Sequence, residues 1–89
     1  MTNIGIVGYG IVGKAVEYGF RGKENDILYY DKYKKSDSLE KVIGDSEFIF
    51  VCLPTPYKED RIDLSIMNEN IGKIAGLPQS TGKVIIIKS

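Results

Sequence analysis

Glycines at positions 8, 10 and 13 form the pattern Gly-x-Gly-x-x-Gly, whose residue types and spacing could do chemistry. In such a pattern the first glycine allows a tight turn, the second lets the backbone approach a pyrophosphate, and the third lets the following helix pack closely. An apolar run, residues 4–7, precedes the glycines, and an amphipathic stretch from Ile11 to Phe20 follows them. A dinucleotide-binding motif of this kind needs a strand before it and a helix after it, and both are predicted here. The context therefore favours a dinucleotide-binding turn. The alternative is a glycine-rich connection that binds nothing.

Asp31 is the second candidate, because it closes the next apolar run, 18 residues after Gly13. At about this distance the dinucleotide fingerprint has an acid that bonds the adenosine ribose. A carboxylate repels a 2′-phosphate, so Asp31 favours NAD over NADP. Lys32 and the lysines at 34 and 35 could accept a phosphate, although a solvated charged loop is the simpler interpretation. The alternative for Asp31 is an aspartate that begins a polar turn.

The elements that must position these residues follow from four apolar runs, residues 4–7, 27–30, 48–53 and 84–87. The runs are β-branched or aromatic and nearly continuous, which is typical of strands covered on both faces of a parallel sheet. Between them we predict three helices. The first runs from Ile11 to near Gly22, the second starts at a capping box of Asp37 and Glu40 and stops at Gly44, and the third runs from an Asp63 cap to Gly76.

This βαβαβαβ alternation predicts an α/β fold. We expect one domain over residues 1–89, a partial Rossmann fold with a parallel sheet of about four strands and helices on both faces. Numbered along the chain, the strands would take the doubly wound order 3-2-1-4. Pro54 and Thr55 follow the third run, at the edge where such sheets bind ligands, near a switch point between the first and fourth strands. A purely structural loop is the alternative for these two residues.

Composition excludes several other functions. Twelve basic residues balance twelve acidic ones, so net charge offers nothing to nucleic acid. The chain has no histidine, which removes Ser-His and Cys-His catalysis and most zinc chemistry. Its single cysteine, Cys52, lies in an apolar run and suggests a buried thiol in a reducing, cytoplasmic compartment. The longest fully apolar run, residues 48–53, is too short to span a membrane.

These motifs together resemble a family. The segments 8–13, Asp31, 50–56 and 84–89 are similar to the N-terminal NAD-binding domain of the UDP-glucose and GDP-mannose 6-dehydrogenases. The Thr-Pro after the third run and the Lys-Ser after the fourth carry the resemblance more specifically than the glycines. It implies oxidation of a nucleotide-sugar C6 alcohol to a carboxylate in polysaccharide biosynthesis, with two NAD per product. It also implies a substrate held by downstream segments and allows a homodimer in the full-length protein.

The resemblance places the glycines at the pyrophosphate, Asp31 at the adenosine ribose, Thr55 against the cofactor and Ser89 near the nicotinamide. It assigns no catalytic residue to this chain, because the family's cysteine and lysine belong to later segments. The residues that we expect to bind the cofactor are Gly8, Gly10, Ile11, Val12, Gly13, Asp31, Lys32, Pro54, Thr55 and Ser89.

Two departures from the family pattern concern the substrate more than the cofactor. Ile11 stands where the family usually has tyrosine, and the segment 32–47 is much shorter than its family counterpart. Another β-hydroxyacid-type dehydrogenase or reductase could share the glycines and the acid, and a stand-alone dinucleotide-binding module or a methyltransferase are the further alternatives. Because the fourth run would form an exposed apolar edge, we also expect this chain to be part of a longer dehydrogenase.

Overall fold

The computed structural model describes residues 2–21 and 25–88 of the chain. Strands and helices alternate as the apolar runs predict, with one addition, a short hairpin after the third strand. The elements are β1 (Thr2–Val7), α1 (Ile11–Phe20), β2 (Asn25–Tyr30), α2 (Leu39–Asp45), β3 (Phe48–Val51), β4 (Tyr57–Lys58), β5 (Arg61–Ile62), α3 (Ser65–Ala75), a 3₁₀ turn (Pro78–Ser80) and β6 (Val84–Ile87).

The four long strands form one parallel sheet in the order β2-β1-β3-β6. The α/β class and the parallel sheet are confirmed, but the predicted order 3-2-1-4 is wrong. In the numbering of the apolar runs the observed order is 2-1-3-4, because β3 pairs with the free edge of β1 and not with β2. The switch point, where the strand order reverses, therefore lies between β1 and β3. This is the position it has in the doubly wound order 2-1-3-4.

The short connection between β2 and β3 explains this order. Its helix, α2, has seven residues and lies across β1, where Val42 and Ile43 are fully buried. At its end the Glu47 amide donates to the Asn3 carbonyl, which brings the chain to the far edge of β1. A side chain at Gly5 would block this path, since an added Cβ would lie 2.5 Å from the Ser46 hydroxyl oxygen. A compact crossover over a glycine thus takes β3 past β1.

The helices cover both faces of the sheet, as predicted. On one face α1 packs Val16 and Phe20 against a cluster made by β1 and β3. On the other face α2 and α3 share the larger cluster. The first cluster contains Ile4, Ile6, Phe50 and Cys52, and the second contains Val7, Val42, Ile43, Ile49, Val51, Met67 and Ile74.

The helix ends agree with the sequence in part. α3 runs from Ser65 to Ala75 and ends before Gly76, as predicted. Its N-cap residue is Leu64, one residue later than predicted, although the Asp63 carboxylate accepts the Ser65 amide at 2.9 Å. For α2 the predicted cap is wrong by one residue, because Ser38, and not Asp37, accepts the Lys41 amide at 3.2 Å. Helix α2 also runs one residue past Gly44, to Asp45.

The hairpin β4-β5 and the edge strand β6 are the exposed parts of the fold. A two-residue turn joins β4 to β5, with positive φ angles of 50° at Glu59 and 61° at Asp60, as hairpin turns of this length require. In β6, Val84 is 49% exposed and Ile87 is 54% exposed. Within the described residues no helix is long and apolar enough to cross a membrane.

Candidate functional site

A cavity of about 480 Å³ opens at the carboxyl ends of β1, β2 and β3. Four segments form its walls: the glycine turn with the start of α1, the residues that follow β2, the residues that follow β3, and one face of α3. The lining side chains and backbone groups belong to residues 8 and 10–12, 30–33, 52–55, and Ile66, Glu69, Asn70 and Lys73. This is the edge at which open α/β sheets bind their ligands.

Two features of the structure require glycine at the first position of the motif, a positive φ angle and a close backbone contact. Gly8 has a φ of +96°, which residues with a side chain rarely adopt, and an added Cβ would lie 2.5 Å from the carbonyl oxygen of Cys52. The turn at Gly8 therefore packs directly on the end of β3. This contact closes the floor of the cavity between the two central strands.

The third glycine lies behind the cavity and not in its wall. Gly13 is buried, and an added Cβ would lie 2.3 Å from the carbonyl oxygen of Gly8. This close approach aims the first turn of α1 at the cavity. The N-cap residue of α1 is Gly10, so no side chain caps the helix, and the first turn of α1 holds no acidic residue. The amides at the start of α1 are therefore a ready site for an anion.

Asp31 is held at the end of β2 by two backbone amides. Its Oδ2 accepts the amide of Tyr9 at 2.8 Å, and its Oδ1 accepts the amide of Tyr33 at 2.8 Å. The Ser36 hydroxyl, in turn, accepts the Asp31 amide at 3.0 Å. These bonds tie the carboxylate to the glycine turn and fix its orientation at the cavity wall. A carboxylate has about four acceptor positions, so each oxygen keeps capacity for a further hydrogen bond.

The lysines after Asp31 are placed differently from one another. Lys34 donates its ammonium to the Tyr9 carbonyl and also lies over the Tyr9 ring, so it braces the glycine turn from outside. Lys32 lines the cavity, with its ammonium 5.7 Å from the centroid of the Tyr33 ring. The Tyr9 ring stacks on Tyr29, with centroids 3.9 Å apart, which holds the turn on β2.

Cys52 contributes to the cavity floor as part of the core. The residue is 7% exposed, and burial raises the pKa of its thiol, against a smaller opposing effect of Lys88. A thiol in this state is a poor nucleophile, as expected for a core cysteine. Pro54 and Thr55, which follow it, reach the cavity from the end of β3.

Eight of the ten residues that the sequence suggests for the cofactor lie around this one cavity. They are Gly8, Gly10, Ile11, Val12, Asp31, Lys32, Pro54 and Thr55. Gly13 supports the site from behind, and Ser89 lies outside the described residues. Among the residues that the structure describes, no cluster of three or more His, Cys, Asp or Glu side chains could hold a metal ion.

The wall formed by α3 was not predicted. Its members Ile66, Glu69, Asn70 and Lys73 recur at helical spacing, beside the core stripe that contains Met67 and Ile74. One signal was available in the sequence, since Ile66 is an apolar residue that falls off the core stripe. Only the tertiary structure shows that this second stripe lines the same cavity as the residues that follow β2.

Comparison with known proteins finds a similarity to a reductase but no family. No protein-family model matches the chain. A glyoxylate reductase from Pyrococcus furiosus is 34% identical over 61 residues, which cover 57% of this chain and 18% of the reductase. The chain therefore spans less than a fifth of the length of that relative.

The fold and this similarity together support one class of protein, the dinucleotide-binding domain of an oxidoreductase. The parallel sheet with its glycine turn is a partial Rossmann-like domain. The similarity supports the dehydrogenase class that the motifs indicated, and it does not single out the nucleotide-sugar 6-dehydrogenases.

Proposed function

We propose that this chain is the NAD-binding portion of a nucleotide-sugar 6-dehydrogenase of the UDP-glucose or GDP-mannose type. The observation that carries the cofactor assignment is the shared cavity of Asp31 and the start of α1. Asp31 supplies acceptors for ribose hydroxyls, and the amides at the start of α1 supply donors for phosphates. Few ligands other than a nucleotide need both at once.

The residues at the glycine turn fit a pyrophosphate. The first amides of a helix have no partner within the helix, and no side chain caps α1. An added Cβ at Gly10 would meet no atom within 4 Å, so the cavity is open where a phosphate would approach the backbone. The positive end of the helix dipole favours an anion there.

Asp31 fits the adenosine ribose of NAD. Its two oxygens are oriented by the amides of Tyr9 and Tyr33 and can each accept a ribose hydroxyl as well. The same negative charge disfavours a 2′-phosphate. Lys34, which could offset that charge, is already bonded to the Tyr9 carbonyl.

The described residues bind and orient the cofactor, which when bound supplies the hydride acceptor. The wall at Leu53, Pro54 and Thr55 limits how far the dinucleotide can slide along the carboxyl edge. We propose that Thr55 contacts the cofactor and that Ser89 lies toward its nicotinamide end. Catalytic groups and the nucleotide-sugar site would come from further segments of a longer, cytoplasmic and homodimeric enzyme.

A second candidate is a reductase like the relative from Pyrococcus furiosus, and the identity of 34% is the observation that favours it. The glycine turn and Asp31 suit both candidates. The nucleotide-sugar candidate is supported by the Thr-Pro that follows β3 and by the Lys-Ser that follows β6.

The cofactor assignment is tested with Asp31→Asn. Loss of the charge should weaken NAD binding by about tenfold, the value of a hydrogen bond to a charged group, and should weaken NADP binding less. Isothermal titration of the 89-residue chain with each dinucleotide measures both constants. Asp26→Asn is the matched control, because Asp26 is exposed at the opposite end of β2. An equal loss for NAD and NADP, in a variant whose thermal unfolding matches that of the native chain, would show that Asp31 does not touch the ribose.

The substrate assignment is tested in the longer protein that contains this chain. We expect two NADH to form per UDP-glucose or GDP-mannose consumed, measured by absorbance at the NADH band. Oxidation of NADH by glyoxylate, with no turnover of either sugar nucleotide, would replace the first candidate by the second.

A further inference from the structure

The α3 wall of the cavity has no role in the function proposed so far. Its apolar member, Ile66, is 37% exposed, so part of its side chain is open to the cavity. Next to it stands Asn70, one turn further along the helix and also in the cavity wall. Glu69 and Lys73 flank these residues and form an ion pair at 3.2 Å, so they add no net charge to the wall.

The position of this wall indicates which part of a dinucleotide would reach it. Asp31, Lys32 and Tyr33 line the same cavity, at its proposed ribose end. None of the described residues of β6, the strand that leads to the proposed nicotinamide end, lines the cavity. With Asp31 at the ribose, as proposed, the cavity walls would enclose the adenosine half of the ligand. Beyond the ribose, a base would therefore enter the space between the end of β2 and α3.

The amide of Asn70 is held in one orientation. Its Nδ2 donates to the carbonyl oxygen of Ile66 at 2.8 Å. A carbonyl can only accept, so turning the amide over would place Oδ1 against another acceptor. The bond uses one Nδ2 hydrogen, and within residues 2–21 and 25–88 no donor is bonded to Oδ1. Asn70 therefore keeps one acceptor and one donor for a ligand.

We propose that Asn70 reads the adenine base of the dinucleotide. Its Oδ1 accepts from the exocyclic N6 amine, and its second Nδ2 hydrogen is given to a ring nitrogen of the base. A side-chain amide pairs with the edge of adenine in this way in other settings. Ile66 offers apolar surface to the ring face. This inference rests on the proposed NAD binding and adds a residue that determines base specificity.

Because the Asn70 amide is held in one orientation, it should distinguish adenine from purines that differ at position 6. A base with a carbonyl oxygen at position 6 would set that oxygen against Oδ1. The side chain could adapt only by turning over, which the Ile66 carbonyl opposes. Hypoxanthine differs from adenine at this position and keeps the size of the purine. Nicotinamide hypoxanthine dinucleotide is thus the probe that isolates the contact.

The experiment compares the two dinucleotides by isothermal titration of the 89-residue chain and of two variants, Asn70→Ala and Asn70→Leu. We expect the native chain to bind NAD about tenfold more tightly than the hypoxanthine analogue, the discrimination typical of a good amide pair. In both variants the ratio should fall to within about twofold, with NAD losing affinity. Two variants are used because leucine keeps the volume of the wall. Asn68→Ala, an exposed asparagine on the same helix, is the control and should keep the native ratio.

The outcomes separate this inference from the proposed function. If the native chain binds NAD and the analogue equally, or if the ratio survives in both Asn70 variants, Asn70 does not read the base and NAD binding stands. If the folded native chain binds neither dinucleotide, the proposed function fails, and the reading of adenine fails with it. Thermal unfolding of each variant shows that the protein measured is folded.

Discussion

Asp31 shows how one side chain serves both the fold and the site. Its oxygens accept the amides of Tyr9 and Tyr33, so the carboxylate fastens the glycine turn to the loop after β2. The same bonds leave the carboxylate oriented at the cavity wall before any ligand arrives. Orientation in advance lowers the ordering cost of binding. Asp31 is therefore both a clamp and the proposed ribose acceptor.

Gly13 is a helical residue at which a single methyl group should disturb the glycine turn. We expect Gly13→Ala to lower the free energy of unfolding by about 1–3 kcal/mol, since the new Cβ would lie against the Gly8 carbonyl and push α1 off β1. NAD affinity should fall as well, because the first turn of α1 would move. Urea unfolding and titration measure the two effects.

The same helix offers a matched control at Gly19. A Cβ added there would meet no atom within 4 Å, and alanine favours the helix more than glycine does. Gly19→Ala should leave stability unchanged or raise it by up to about 1 kcal/mol. If both variants were equally stable, the close approach of α1 to the glycine turn would not matter to the fold.

At the scale of the elements, α3 is the helix that carries two functions on two stripes. Met67 and Ile74 lie in the core cluster shared with β1, α2 and β3, and this stripe anchors the helix. The core stripe thereby also fixes the stripe of Ile66 and Asn70 in the cavity wall, because both stripes belong to one rigid helix. Sequence periodicity reveals the first stripe, since apolar residues mark it. The second is mostly polar and resembles a solvated face until the cavity is seen.

The N-terminus of α2 allows a test of whether Ser38 or Asp37 caps the helix. Ser38→Ala should lower the free energy of unfolding by about 1 kcal/mol, because Ser38 caps the helix through the Lys41 amide. Asp37→Ala should cost less than about 0.5 kcal/mol, since Asp37 makes an exposed pair with Lys41 at 3.7 Å. Urea denaturation of both variants decides the order. A larger loss for Asp37→Ala would restore the capping box expected from the sequence.

The hairpin β4-β5 was absent from the sequence prediction for a local reason. Two-residue hairpin turns usually show glycine or asparagine at the positions of positive φ. Here Glu59 and Asp60 occupy them, so the segment carries no typical turn signal. The Pro56 carbonyl accepts the Asp63 amide at 2.7 Å and closes the hairpin at its base. A backbone hydrogen bond of this kind cannot be recognised from residue types.

At the scale of the whole molecule, strand order is the point on which prediction and structure differ. The alternation of apolar runs correctly predicted parallel strands with helices on both faces. It could not distinguish two orders, because both use the same strands and the same spacing. The order was decided by the crossover of α2 over Gly5, which delivers β3 to the free edge of β1. The residues that follow β3 consequently line the cavity beside the glycine turn.

The sequence by itself determined the local parts of this protein: four strands, three helices, the turn at Gly8 and the acid at Asp31. Each depends on residue type and short spacing, which a chain carries without its partners. Tertiary structure alone decided which strands are neighbours and that Asn70 lines the same cavity as Asp31. Those facts depend on contacts between residues far apart in sequence, and the pattern of apolar and polar positions constrains such contacts only weakly.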